Sequence, residues 1–150
     1  MVAAVALLLC LALVACGEQH RPVPAMCTAG PGVIERALAA APRAVRLPDG
    51  TPLSACVADA DTDAELQTAG LVLTTAADRL AERATRGDAV AALRLGYLTG
   101  AVRRGAAHTA GVGAELERRV SRAGAYVAED GGAAAGAALQ RGLTAGQASG

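Results

Sequence analysis

A mainly α-helical protein is predicted: a small bundle of three to four helices, preceded by a short disulfide-stapled β-hairpin segment. Three observations lead there. Leu66, Leu73, Ala77, Leu80 and Ala84 recur at steps of seven, four, three and four, which puts them on one face of a helix. Alternating residues flank Pro48-Asp49-Gly50-Thr51, a turn-forming sequence. The chain has no Phe and no Trp, and Tyr97 and Tyr126 are its only aromatic residues. A core built from Leu, Val and Ala favours close helix packing over a large ligand cavity.

The elements follow in order. Gly30-Pro31-Gly32 opens a short helix, Val33 to Ala40, which Pro42 ends. Ala44-Val45-Arg46-Leu47 and Pro52 to Val57 are the two arms of the expected hairpin. An isolated hairpin is marginal in water, so it needs tying down. Thr62-Asp63-Ala64-Glu65 has the capping-box pattern, in which the threonine hydroxyl serves a free amide and the glutamate reaches back. It starts a helix from about Asp63 to Arg86, ended by Gly87. Asp88 caps the second helix, whose apolar side is Val90, Leu93, Tyr97 and Val102, and Gly105 closes it. The third runs from about Gly111 to Ala128, with Val112, Leu116, Val120 and Val127 inward and Glu115, Glu117, Arg118, Arg119 and Arg122 on a solvated face. After Glu129-Asp130-Gly131-Gly132 an Ala/Gly-rich stretch forms a weak fourth helix to about Arg141. The expected division is 1–15 leader, 16–26 tether, 27–60 hairpin segment, 61–142 helical bundle and 143–150 frayed tail.

The first sixteen residues carry the strongest motif. An uncharged apolar run from Val2 ends in Leu13-Val14-Ala15-Cys16. It is too short to span a bilayer, which takes about 20 residues, and has the form of a secretory leader. With Leu three before the cysteine and small Ala just before it, the tetrapeptide resembles the lipobox of bacterial lipoproteins. Cys10 follows bulky Leu9 and lacks the pattern. The family's leader begins with Lys or Arg, and Met1-Val2-Ala3-Ala4 has neither, so the true start lies upstream or export relies on the amino terminus alone. An ordinary cleaved leader, or a buried apolar helix with a chance cysteine, are the competing readings. The resemblance implies cleavage before Cys16, attachment of acyl chains such as palmitate to it, and anchoring to the cell membrane or envelope on its extracytoplasmic side. Each buried methylene contributes about 0.8 kcal/mol, so two or three chains hold a domain at the membrane. Pro22 and Pro24 make the tether extended, with a reach of roughly 35–40 Å to Cys27.

With Cys10 and Cys16 set aside, Cys27 and Cys56 remain, and an even pair in an oxidising compartment reads as one disulfide, with two unpaired thiols as the alternative.

Function classes are narrowed mainly by what is missing. Fourteen basic and fourteen acidic side chains balance, and every basic one is Arg, so charge gives no case for nucleic acid. Asp59, Asp61, Asp63 and Glu65 alternate like the start of a calcium loop, but Ala64 and Gly70 stand where such a loop needs Gly and Glu. They suit a helix amino terminus instead. Gly96 and Gly100 form a G-x-x-x-G pair whose flanking Arg94, Arg103 and Arg104 argue for close packing against a neighbouring helix, not a membrane span. Ala92 to Leu98 loosely resembles the A-x-x-x-L-G-x-x-Y helix of Sel1-type and tetratricopeptide repeats, without a second copy at the required period. His20 and His108 have no predictable partner, and Ser54 and Ser121 lie in no nucleophile elbow. No metal, cofactor or catalytic set is expected. The leading expectation is a non-catalytic structural or protein-interaction role, with membrane lipid through Cys16 and an envelope protein as partners. The alternative is a small ligand-binding or sensing role, with Tyr97, Tyr126 and Arg94 as contacts.

Overall fold

The computed structural model describes residues 22–60, 62–107, 109 and 111–150. Cys10, the lipobox-like Leu13 to Cys16, His20, Asp61 and His108 lie outside them. Among these residues there are six helices: α1 (Pro31–Ala37), α2 (Ala55–Ala58), α3 (Asp63–Thr85), α4 (Ala89–Ala106), α5 (Val112–Asp130) and α6 (Gly132–Ser149), with 3-10 turns at Ala25–Cys27 and Leu38–Ala40. The last four form the bundle. None of the helices described is long and apolar enough to cross a membrane.

The helix starts are set by side chains. Glu65 N–H donates to Thr62 Oγ1 at 3.2 Å and Thr62 N–H donates to Glu65 Oε2 at 3.3 Å, completing the capping box of α3. Both acidic residues of that first turn, Asp63 and Glu65, complement its exposed amides. Gly87, at φ +91°, turns the chain after α3. Asp88 Oδ1 then accepts from Val90 and Ala91 N–H, each at 2.9 Å, to start α4.

In the bundle α4 and α5 share the centre, α3 packs against both from one side and α6 from the other, and α3 and α6 barely meet. The closest pair is α4 with α6. A Cβ on Gly96 would overlap the carbonyl of Leu139 and lie 2.8 Å from Leu143 N, and one on Gly100 would overlap the carbonyl of Leu143. Gly142 and Gly146 meet the carbonyls of Leu93 and Tyr97 in the same way. Positions advance together along both chains, so the helices run parallel, glycine faces inward on each, and backbone touches backbone. Such contact brings Cα–H groups against carbonyl oxygens, a weak but repeated attraction.

This pairing corrects the expectation of a weak fourth helix and a frayed end from residue 143. Helix α6 continues to Ser149. Arg104 Nη1 donates to the carbonyls of Ala148 at 2.7 Å and Gln147 at 3.1 Å, serving acceptors that a helix end leaves free. Ser54 Oγ donates to the carbonyl of Gly150 at 2.7 Å. The cost of the glycines to helix propensity is outweighed by packing that only small residues permit.

The segment before the bundle is tied down by a Cys27–Cys56 disulfide, with Cα atoms 5.4 Å apart. It buries Ile34, Leu38, Val45, Leu47 and Leu53 against α3 and α4. Glu35 adds an ion pair with Arg83 at 3.1 Å and another with Arg79 at 3.4 Å. The expected hairpin is not formed. The turn is present, with Gly50 N–H donating to Leu47 O at 2.8 Å and Thr51 N–H to Asp49 Oδ1 at 3.0 Å. Among the described residues, however, pairing stops at one antiparallel bridge, Arg46 with Pro52, and Ala55–Ala58 is helical. Pro52 has no N–H to continue a ladder. Leu53, Cys56 and Val57 are all fully buried, and a helical turn turns all three inward where an alternating strand cannot. The first arm keeps its strand-like alternation, Val45 and Leu47 in and Arg46 out. The Val45 N–H that a partner strand would accept goes instead to Tyr97 Oη at 3.0 Å.

Candidate functional site

A concavity lies between α3 and α5. These helices run parallel, since Gly70 meets Leu116 while Asp78 shares a trough with Arg122 and Tyr126. The absent side chain at Gly70 sets the depth: a Cβ there would lie 3.5 Å from Leu116 Cδ1.

The groove has two parts. The first, of about 610 Å³, has a floor of Leu66, Gly70, Val112 and Leu116, with Leu71 on its rim and Gln67, Thr74, Glu115 and Arg119 as its polar walls. The second, of about 360 Å³, is lined by Thr74, Asp78, Ala81, Arg119, Arg122, Ala123 and Tyr126. Thr74 and Arg119 belong to both, so an aliphatic trough runs into a charged one. Leu71 is 69% exposed and Tyr126 56% exposed, the two largest apolar surfaces along this groove.

Its electrostatics are set on α5. Arg119 Nε donates to Glu115 Oε1 at 2.9 Å and Arg118 Nη2 lies 2.8 Å from Glu115 Oε2. The Arg119 hydrogen bond holds the pKa of the Glu115 carboxyl below its ordinary value against an opposing desolvation, with the Arg118 and Arg119 charges helping. Thr74 Oγ1 donates back to the Gly70 carbonyl at 2.8 Å. Arg122 has no ion pair among the described residues, and the charged trough sets Arg119 and Arg122 against the single carboxylate of Asp78.

A smaller concavity of about 270 Å³ lies where α4, α5 and α6 meet. Arg103 Nε donates to Glu117 Oε1 at 2.9 Å and its Nη2 to Ser121 Oγ at 3.1 Å, while Ser121 Oγ donates to Glu117 Oε1 at 2.9 Å. This closed set of partners fixes α4 against α5.

The three residues expected as ligand contacts are not brought to one place. Tyr97 is wholly buried. Its hydroxyl accepts from Val45 N–H and lies 3.1 Å from Ser149 Oγ, which itself donates to Ala145 O. The phenol therefore donates to Ser149 and joins three parts of the core. Arg94 is half-buried and lines none of the three concavities, and only Tyr126 reaches the groove. Tyr97→Phe should lower stability by about 1–3 kcal/mol, because the buried Val45 N–H is left without an acceptor. Urea unfolding checks it, and an unchanged midpoint would contradict this role.

Sequence reasoning passed over Leu71, Gln67, Thr74 and Gly70. One signal was there: Leu71 is apolar but falls off the face defined by Leu66, Leu73, Ala77 and Leu80. Compared with models of protein families, with curated proteins and with solved structures, the chain matches none of them.

Proposed function

We propose that this protein is an envelope lipoprotein, anchored through Cys16 on the extracytoplasmic side of a membrane, whose helical domain acts without catalysis by holding a binding surface near that membrane. The α3/α5 groove is the observation that carries the reading. It combines exposed Leu71 with exposed Tyr126, tyrosine being among the residue types on which interface energy concentrates, and a rim of charged side chains. Arg94 and Tyr97 drop out as contacts, and Tyr126 stays. The lipobox-like tetrapeptide supports the address, and the buried disulfide suits an oxidising compartment.

The test has two parts. Intact mass of the protein from native membranes should match a chain beginning at Cys16 plus acyl groups; an unmodified chain would sink the anchor. A photocrosslinker at position 71 should then recover one recurrent envelope protein, and Tyr126→Ala should reduce recovery. Recovery of bulk membrane protein alone would count against a protein partner. A small-ligand reading has separate support in the first trough, whose volume falls in the ordinary range for ligand sites, roughly 300–1,000 Å³.

A further inference from the structure

The groove changes character along its length, and that gradient specifies a ligand. Its aliphatic part runs from Leu66 to about Thr74, eight residues or roughly 12 Å along α3. This is close to the depth of one bilayer leaflet, about half of a ~30 Å hydrocarbon core. The floor there is Leu66, Gly70, Val112 and Leu116, with Leu71 on the rim and Glu115 and Arg119 as the charged walls. Beyond Thr74 the lining turns polar, with Arg119 and Arg122 facing Asp78 and Tyr126. Arg118 and Arg119 both pair with Glu115, and Arg122 has no ion pair among the described residues, so at that end three guanidinium groups meet the two carboxylates of Glu115 and Asp78.

From this we infer that the α3/α5 groove binds a single-chain amphiphile: an acyl tail in the aliphatic trough and an anionic head, carboxylate or phosphate, over Arg119 and Arg122. A wholly apolar molecule would leave the charged trough unused. A tail held at Leu66 to Leu71 brings a head at its other end to the guanidinium groups. The inference rests on the groove being a recognition site and names the chemistry of what it takes.

The experiment uses the full chain in proteoliposomes, labelled with a photoactivatable oleate and, separately, with the matching photoactivatable oleyl alcohol. Oleate adducts should map to peptides of α3 around residues 66–74 and of α5 around 112–119, and should exceed the alcohol adducts. Leu71 is exposed, so Leu71→Arg leaves the core intact while placing a charge on the tail path; Arg122 is exposed too, and Arg122→Glu reverses the head contact. Each should cut oleate labelling of those peptides by roughly fivefold, the scale of one exposed contact, and Arg122→Glu should also abolish the preference over the alcohol. Labelling spread evenly over the surface, equal labelling by acid and alcohol, or indifference to both substitutions would each overturn the inference. A carboxylate and a phosphate head are separated by competing oleate with lysophosphatidate. If no lipid labels the groove but the crosslinker at position 71 still captures one protein, the inference fails and the protein-binding reading stands. If both are negative, both fail.

Discussion

Adding a single methyl group at Gly96 should destabilise the protein by about 2–3 kcal/mol, although the same change at the open position Gly136 is neutral or favourable. Glycine in a helix interior costs about 1 kcal/mol relative to alanine, so substitution ought to help wherever space permits. Gly136 provides that case, because nothing lies within 4 Å of a Cβ built there. At Gly96 the methyl would overlap the Leu139 carbonyl and crowd Leu143 N at 2.8 Å. Both obstacles are backbone, which cannot rotate aside as a side chain would. Relief requires α4 and α6 to move apart, and that separation opens the contacts of Gly100, Gly142 and Gly146 together. Overpacking of this kind typically costs 1–3 kcal/mol, occasionally more. Gly136→Ala should raise the urea midpoint, by up to about 1 kcal/mol in stability, and Gly96→Ala should lower it. Gly96→Ala combined with Gly142→Ala should cost less than the sum, since the first substitution has already spread the helices that the second would spread. A Gly96→Ala protein as stable as the parent would mean that α4 and α6 do not meet in this way.

The glycine pairing also explains where the sequence was readable and where it was not. Helix α3 could be placed because its start and its apolar stripe are local: Thr62 with Glu65, then Leu66, Leu73, Ala77 and Leu80 at helical spacing. Asp88 and Gly87 mark the next boundary in the same local way. Helix α6 gives no such signal, because its stability lies in shape. A row of glycines looks like a weak helix until another row, on α4, is brought against it. Gly96 and Gly100 announce one half of that contact, while Gly142 and Gly146 are hidden in a stretch whose composition suggests fraying. The hairpin expectation failed for a related reason. Residues 44–57 have the turn and the alternation of a hairpin, but Val45 N–H finds Tyr97 Oη from 52 residues away, and Leu53, Cys56 and Val57 are needed inward together. The groove was least legible of all. It depends on Gly70 and Leu116 meeting across two helices, and only the misplaced Leu71 points to it in one dimension.

The second large effect concerns the Cys27–Cys56 bridge, whose loss should lower stability by about 3.5 kcal/mol while leaving a folded protein. The bridge closes a loop across a sequence separation of 29 residues. Chain-entropy reasoning gives a stabilisation of roughly 3.5 kcal/mol for a loop of that length, because cross-linking removes conformations from the unfolded chain. The folded state does not depend on the bridge alone. Ile34, Leu38, Val45, Leu47 and Leu53 are buried as well, and Arg83 donates from both Nη1 and Nη2 to Glu35 Oε2 at 3.1 Å. The combined substitutions Cys27→Ala and Cys56→Ala should therefore keep the helical circular dichroism of the parent and unfold at lower urea. Both cysteines are fully buried, so a reductant reaches them only when the segment opens. Reduction of the native protein should accordingly be slow, and should accelerate with urea well before the bundle unfolds. A loss below about 1 kcal/mol would contradict the entropic account. Collapse of the helical signal on reduction would contradict the claim that the segment is held by its own packing, and would make the bridge a condition for folding instead of a brace upon it.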